Sequence, residues 1–134
     1  MATTKHLSHV AMSVPPGTMT DAWRSQVLDF YGSLFGWHEI DELRLPDRLT
    51  ISVGSSYVNV RERADAPAYN GYEHFGVAVD SAETARRIWA DANASHADVE
   101  LDPLPAPTAD GFVAFRLRYL LPLAVEVQYF PASE

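Results

Sequence analysis

The chain contains no cysteine, which excludes a disulfide framework, a thiolate nucleophile and any zinc site built on sulfur. A metal, if one is used, has to be held by His, carboxylate, amide or water. Lysine is nearly missing as well: nine of the ten basic residues are Arg, and they are spread along the chain instead of clustered. Against eighteen acidic residues they leave a formal net charge of −8, so a phosphate-tracking surface for nucleic acid is not expected. No run approaches the roughly 18 apolar residues of a membrane span. The opening MATTKHLSHVAMSVPP is too short and too polar in its apolar stretch for a secretory leader. These absences point to a soluble, cytoplasmic protein acting on small molecules, with no nucleic-acid or membrane partner.

What is present is ordinary globular material. At 134 residues, with 47% apolar and 21% charged, the chain has the size and composition of a single domain, 1–134, with one compact core. Residues 6–14 alternate in polarity and read as a strand stopped by Pro15 and Pro16. A helix follows, capped by Thr20, with Trp23, Val27, Phe30 and Leu34 at helical spacing and Gly36 at its C-terminal end. Three strands are predicted next, over 37–43, 48–53 and 57–63. The same order then recurs: a strand over 72–79, a helix capped by Asp80 or Ser81 with Ala85, Ile88, Trp89 and Ala92 on one face, and strands over 97–101, 112–118 and 124–130.

The repeat is visible in the residues themselves. His9-Val10-Ala11-Met12-Ser13-Val14 aligns with His74-Phe75-Gly76-Val77-Ala78-Val79 at an offset of 65 residues. The fold class is therefore α+β, two βαβββ modules of mixed sheet with the helices outside, module one about 5–63, a linker about 64–71 and module two about 72–131.

Strand parity sorts the polar groups. Side chains alternate across a sheet, so Val10, Met12 and Val14 face the helix while His9, Ala11 and Ser13 face away, and Phe75, Val77 and Val79 leave His74, Gly76 and Ala78 opposite. In the last strand of each module Val58 and Val60 leave Tyr57, Asn59 and Arg61 opposite, and Val125, Val127 and Tyr129 leave Ala124, Glu126 and Gln128 opposite. His9, Asn59, His74 and Glu126 thus occupy corresponding positions on two open faces, and paired modules would bring them to one pseudo-symmetric cleft. Two imidazoles and a carboxylate suit a divalent first-row cation with positions left for substrate, and Asn59 offers a neutral fourth oxygen. An unpaired carboxylate at Glu126 in the apolar AVEVQYF segment is costly without a cation beside it.

Other residues carry two readings. Arg61, Arg116 and Arg118 fall on the open faces, where they either grip an anionic substrate group bidentately or pair with the plentiful acids. Trp37 and Tyr57 either line a pocket or pack at a sheet interface. Phe30, Tyr31, Leu34 and Phe35 are read as core, and His6, His38 and His96 as surface.

HLSHVAMSV, the FYGSLFGW helix end, YEHFGVAV and AVEVQYF together resemble the vicinal oxygen chelate superfamily, over about residues 5–131. That superfamily includes glyoxalase I, extradiol dioxygenases, methylmalonyl-CoA epimerase, fosfomycin-resistance transferases and bleomycin-resistance proteins. The resemblance implies paired βαβββ modules around a cleft, with metal ligands in the first and last strands: His9, His74 and Glu126, with Asn59 where glyoxalase I has a second Glu. It further implies a bound Fe, Mn, Ni or Zn ion, a homodimer, and a role for Glu126 as the base in proton transfer. An Asn cannot act as a base, which sets this chain apart from glyoxalase I. Two His and one Glu are similar to the sets of the dioxygenases and the fosfomycin transferases, although Ala11 stands where the transferases carry a catalytic Thr. The usual DPDGN turn before the last strand is replaced by Tyr119-Leu120-Leu121-Pro122-Leu123. Two functions are expected to compete: a metal-dependent dioxygenase, isomerase or lyase acting on a small oxygen-chelating metabolite, and a metal-free protein that sequesters a ligand, as bleomycin-resistance proteins do. In the second, Trp37 and Tyr57 would stack on a cationic compound.

Overall fold

The structure, a computed structural model, describes residues 5–96 and 98–131. It comprises two compact units that divide between Pro67 and Ala68, within the segment read as linker. Each unit holds one helix and one four-stranded mixed sheet.

In the first unit, β1 (His9–Val14) leads through Pro15 into α1 (Asp21–Phe35), followed by β2 (His38–Glu39), β3 (Arg48–Ser52) and β4 (Tyr57–Glu62). The sheet order is β1-β4-β3-β2, with β1 parallel to β4 and the other pairs antiparallel. α1 starts where the sequence predicts: the Thr20 hydroxyl accepts the Trp23 N–H at 3.1 Å, satisfying one of the amides a helix start leaves unpaired. It ends at Gly36, whose φ of 74° gives the left-handed conformation that glycine adopts without a side-chain clash, while its N–H bonds back to the Gly32 carbonyl. Trp23, Val27, Phe30 and Tyr31 are buried on one side of the helix, and Met12, Val14, Leu49, Ile51, Val58 and Val60 on the facing side of the sheet. Leu34 and Phe35, read as core, are only half-buried at the helix end.

The second unit repeats this order with β5 (His74–Ala78), α2 (Ala82–Ser95), β6 (Glu100–Leu101), β7 (Val113–Arg118) and β8 (Ala124–Tyr129), arranged β5-β8-β7-β6. Ser81, not Asp80, caps α2, its hydroxyl accepting the Thr84 N–H at 3.0 Å. Ala85, Ile88 and Ala92 are buried against Val113, Phe115, Leu117, Val125 and Val127. Trp89 is half-buried and uses its indole N–H on the Asp102 carbonyl at 2.8 Å.

Two predicted strands are much shorter in the structure. The segment 37–43 pairs only over His38–Glu39, because after Ile40 the chain turns: Leu43 N–H bonds the Ile40 carbonyl and Arg44 N–H the Asp41 carbonyl, making a single 3-10 turn over Asp41–Leu43. The segment 97–101 pairs only over Glu100–Leu101, and Ala97 lies outside the described residues. Alternating polarity alone does not supply a partner strand, and both of these are sheet-edge strands.

The β7–β8 connection is built tightly around Leu120. Its φ is 63°, the single positive value outside glycine among the described residues, and Leu121 N–H reaches back to the Tyr119 carbonyl at 2.7 Å. A branched side chain in this region costs roughly 1–2 kcal/mol, part of which glycine returns as lost chain entropy. Leu120→Gly is therefore expected to raise the denaturation midpoint slightly and Leu120→Val to lower it, as urea unfolding would measure.

Candidate functional site

The parity expected from sequence is the parity observed. His9 and His74 are exposed while Met12 and Val14 are buried and Phe75 and Val77 are half-buried. The register matches between the units: in β1/β4 Ala11 pairs with Asn59, and in β5/β8 Gly76 pairs with Glu126. Each last-strand polar residue thus stands opposite the residue two beyond its histidine, on the histidine's face.

In the second unit these groups touch. His74 Nδ1–H donates to the Tyr72 carbonyl at 2.6 Å, and its Nε2 lies 3.1 Å from Glu126 Oε1. A carbonyl oxygen can only accept, so Nδ1 carries a proton, and the other ring nitrogen, Nε2, is the one turned to the carboxylate oxygen. Two lone pairs at that distance repel unless a proton or a cation is shared between them. Glu126 is itself oriented, since Gln128 Nε2 donates to its Oε2 at 2.7 Å. The Tyr72 ring meets the imidazole edge-on, centroids 5.6 Å apart at 88°. A histidine with its far nitrogen tied to a backbone carbonyl, beside a carboxylate steadied from behind, is the outer-shell arrangement typical of metal ligands.

His74 and Glu126 line an open depression of about 420 Å³ together with Tyr72, Asp102, Ala114, Phe115 and Arg116. Arg116 is directly opposite Glu126 in the β7/β8 register. Its guanidinium nevertheless leans toward Asp102, with Nε 3.7 Å from Oδ2.

In the first unit the equivalent histidine is held by different residues to similar effect. The Ser8 hydroxyl lies 2.8 Å from His9 Nδ1, and the Tyr57 ring stacks on the imidazole at 4.7 Å and 3°. His9 Nε2 makes no hydrogen bond among the described residues. Asn59 Oδ1 is buried and has no hydrogen-bond partner among the described residues, a situation that costs about 1–3 kcal/mol for an acceptor kept from water. Among the described residues no three His, Asp or Glu side chains are gathered as a ready metal cluster: the structure brings His74 and Glu126 together, while His9 and Asn59 stand in the other unit.

The remaining candidates divide. Trp37 is buried against Phe35 and Tyr31, rings stacked at 4.5 and 5.7 Å, the packing that is one of its two readings. Arg118 pairs with Glu100, and Arg61 is exposed opposite Arg48. His6 and His38 are exposed as expected, whereas His96, also exposed, stacks on Tyr119 at 5.0 Å.

Three contributors escaped the sequence reading. Gln128 was legible as same-face by parity, but its bond to Glu126 was not. Asp102 has no strand pattern to mark it. Arg24, 4% exposed, occupies a helix position between Trp23 and Val27 on the apolar stripe, and that placement was the available signal. Its guanidinium donates to the Leu45, Pro46 and Arg48 carbonyls and lies 3.8 Å from Glu39.

No family model matches the chain, and no curated protein does. Solved structures do. A fosfomycin resistance protein, FosX, from Listeria monocytogenes, complexed with Mn(II) and sulfate, superposes with a TM-score of 0.68 at 14% identity, covering 96% of this chain and 92% of that one. A glyoxalase/bleomycin resistance protein/dioxygenase family enzyme from Burkholderia phytofirmans PsJN gives 0.69 at 17% identity, covering 92% and 97%. Lactoylglutathione lyase from Agrobacterium tumefaciens gives 0.64 at 17%, covering 94% of each chain. The chain shares the fold of these structures. Within that fold the paired βαβββ order and the matched register of Asn59 and Glu126 are accounted for as two copies of one module. Among the described residues no helix is long and apolar enough to cross a membrane.

Proposed function

We propose that the protein is a divalent-metal-dependent enzyme of the vicinal oxygen chelate type acting on a small oxygen-chelating metabolite, with His9, His74 and Glu126 as ligands and Asn59 as a neutral fourth donor. The observation that carries this reading is the His74–Glu126 contact, in which an imidazole anchored through Nδ1 to the Tyr72 carbonyl turns its Nε2 to a carboxylate oxygen at 3.1 Å. The donor set of imidazole nitrogens and one carboxylate fits Fe, Mn, Ni or Zn. A divalent ion held there supplies Lewis acidity to two oxygens of a chelating substrate. The orphaned Asn59 oxygen supports the same reading from the other unit, since a cation or a donor on the substrate would satisfy it.

This chain's own groups then divide the work. In a proton-transfer reaction Glu126 would detach from the ion to serve as the base, with Gln128 holding its second oxygen. Asn59 occupies the matching register but cannot take a proton, so acid–base work is confined to one side of the substrate. With one His in the first unit and the other ligands in the second, the full set requires the first unit of this chain, or of a second copy in a homodimer, to be apposed to the second.

Elemental analysis of protein made without an affinity tag or chelator tests the reading. One divalent ion per chain is expected, lost in His9→Ala; no uptake after reconstitution with Fe, Mn, Ni or Zn overturns it. The second reading, metal-free ligand sequestration, draws on the same contact, because a proton shared between His74 and Glu126 would also complete it. Small-molecule binding that ignores chelator would favour that reading.

A further inference from the structure

We propose that the compound taken up at this site carries an oxyanion, above all a carboxylate, and that Arg116 receives it. The inference rests on the metal-site reading for the position of the chelated atoms, but its own observations are separate. Arg116 and Glu126 are directly opposite across β7 and β8, where opposite charges ordinarily pair. Here they do not. Asp102 intervenes, and it is fixed from three directions: its N–H bonds the Arg116 carbonyl at 3.0 Å, its Oδ2 accepts the Arg116 backbone N–H at 3.0 Å, and its own carbonyl accepts the Trp89 indole N–H.

Asp102 can therefore hold the guanidinium by its Nε edge, at 3.7 Å, without enclosing it. The two Nη groups make no hydrogen bond among the described residues, and the side chain is 37% exposed. Arg116 is the single permanent cation lining the depression that also contains His74 and Glu126. A planar fork with its donors unspent is matched by a carboxylate, which it can grip bidentately. Cross-strand neighbours are about 4.5–5.5 Å apart at Cβ, so the anion belongs within a few bonds of the chelating oxygens. The register-equivalent residue in the first unit is the uncharged Thr50, opposite Asn59, so the first unit carries no counterpart of this cation at that position.

The test uses probes of defined charge. With Mn(II)-loaded protein, 3,4-dihydroxybenzoate is expected to bind at least tenfold tighter than catechol, the same chelator without the carboxylate, by calorimetry. Arg116→Gln should erase that preference while leaving catechol affinity in place, Arg116→Lys should keep part of it, and Arg87→Gln on exposed α2 should keep it all. A wild-type protein without the preference, or a preference that survives Arg116→Gln, overturns the proposal. If no Mn(II) loads or neither chelator binds, it is the metal-site reading that fails. The anion site is then decided on metal-free protein: a saturable sulfate-induced shift of the Arg116 Nε–H resonance, assigned by its absence from Arg116→Gln, supports it, and no shift overturns it.

Discussion

Glu126→Ala should abolish stoichiometric divalent-metal uptake, lowering affinity by well over the roughly 10- to 100-fold that loss of an outer-shell partner costs. The expectation follows from the pair geometry: with the carboxylate gone, His74 Nε2 loses its partner and the second unit keeps one of its two proposed ligands. Gln128→Leu is the graded companion. It removes the 2.7 Å bond to Oε2 without touching a donor atom of the pair, so affinity should fall by about 10- to 100-fold and no more. Metal titration of both variants, beside far-ultraviolet circular dichroism to verify folding, separates ligand from support. Equal losses in the two would mean that Gln128 acts through the fold and not through Glu126.

The second large effect lies at Arg24. Arg24→Ala should destabilise the protein by about 3–5 kcal/mol, because it strands buried polar partners as well as leaving a void. The guanidinium donates to the carbonyls of Leu45, Pro46 and Arg48, which tie the β2–β3 connection to α1. Glu39, buried at 8% exposure, would be left with Arg44 alone, at 3.2 Å. At 134 residues a loss of that size lowers the thermal midpoint by roughly 10–20 °C. Arg24→Met restores the bulk but none of the donors, so it should recover only a minor part; Arg24→Met combined with Glu39→Gln should recover more, because no charge is then left buried without its partner. A thermal melt of Arg24→Ala within a few degrees of wild type would refute the role.

How far the residues alone lead is clear from these two places. His9, His74, Asn59 and Glu126 were found by counting in twos along strands, since the pleat enforces that alternation whatever the tertiary context. The helix starts at Thr20 and Ser81 were equally readable, because capping is settled within four residues. The contact between His74 and Glu126 was not readable: it needs the β5/β8 register, which depends on how α2 and its connections span the sheet. Asp102 was hidden for the same reason, sitting just past a two-residue edge strand. Trp37 shows that one aromatic residue at a strand start serves a pocket or a core equally well until the stacking with Tyr31 and Phe35 is known.

The turn at Leu120 bears on all of this. Tyr119 and Leu121 on either side of it are buried, at 5% and 1% exposure, and only Leu120 between them reaches solvent. Because Tyr119 and Leu121 tie this connection into the core, a slide of β8 along β7 by one residue would pull a side chain out of it and turn the strand's faces over. Arg116 and Glu126 are consequently held at a constant spacing, like two jaws on a common rivet. Evolution can exchange what either jaw grips far more easily than it can change the gap between them.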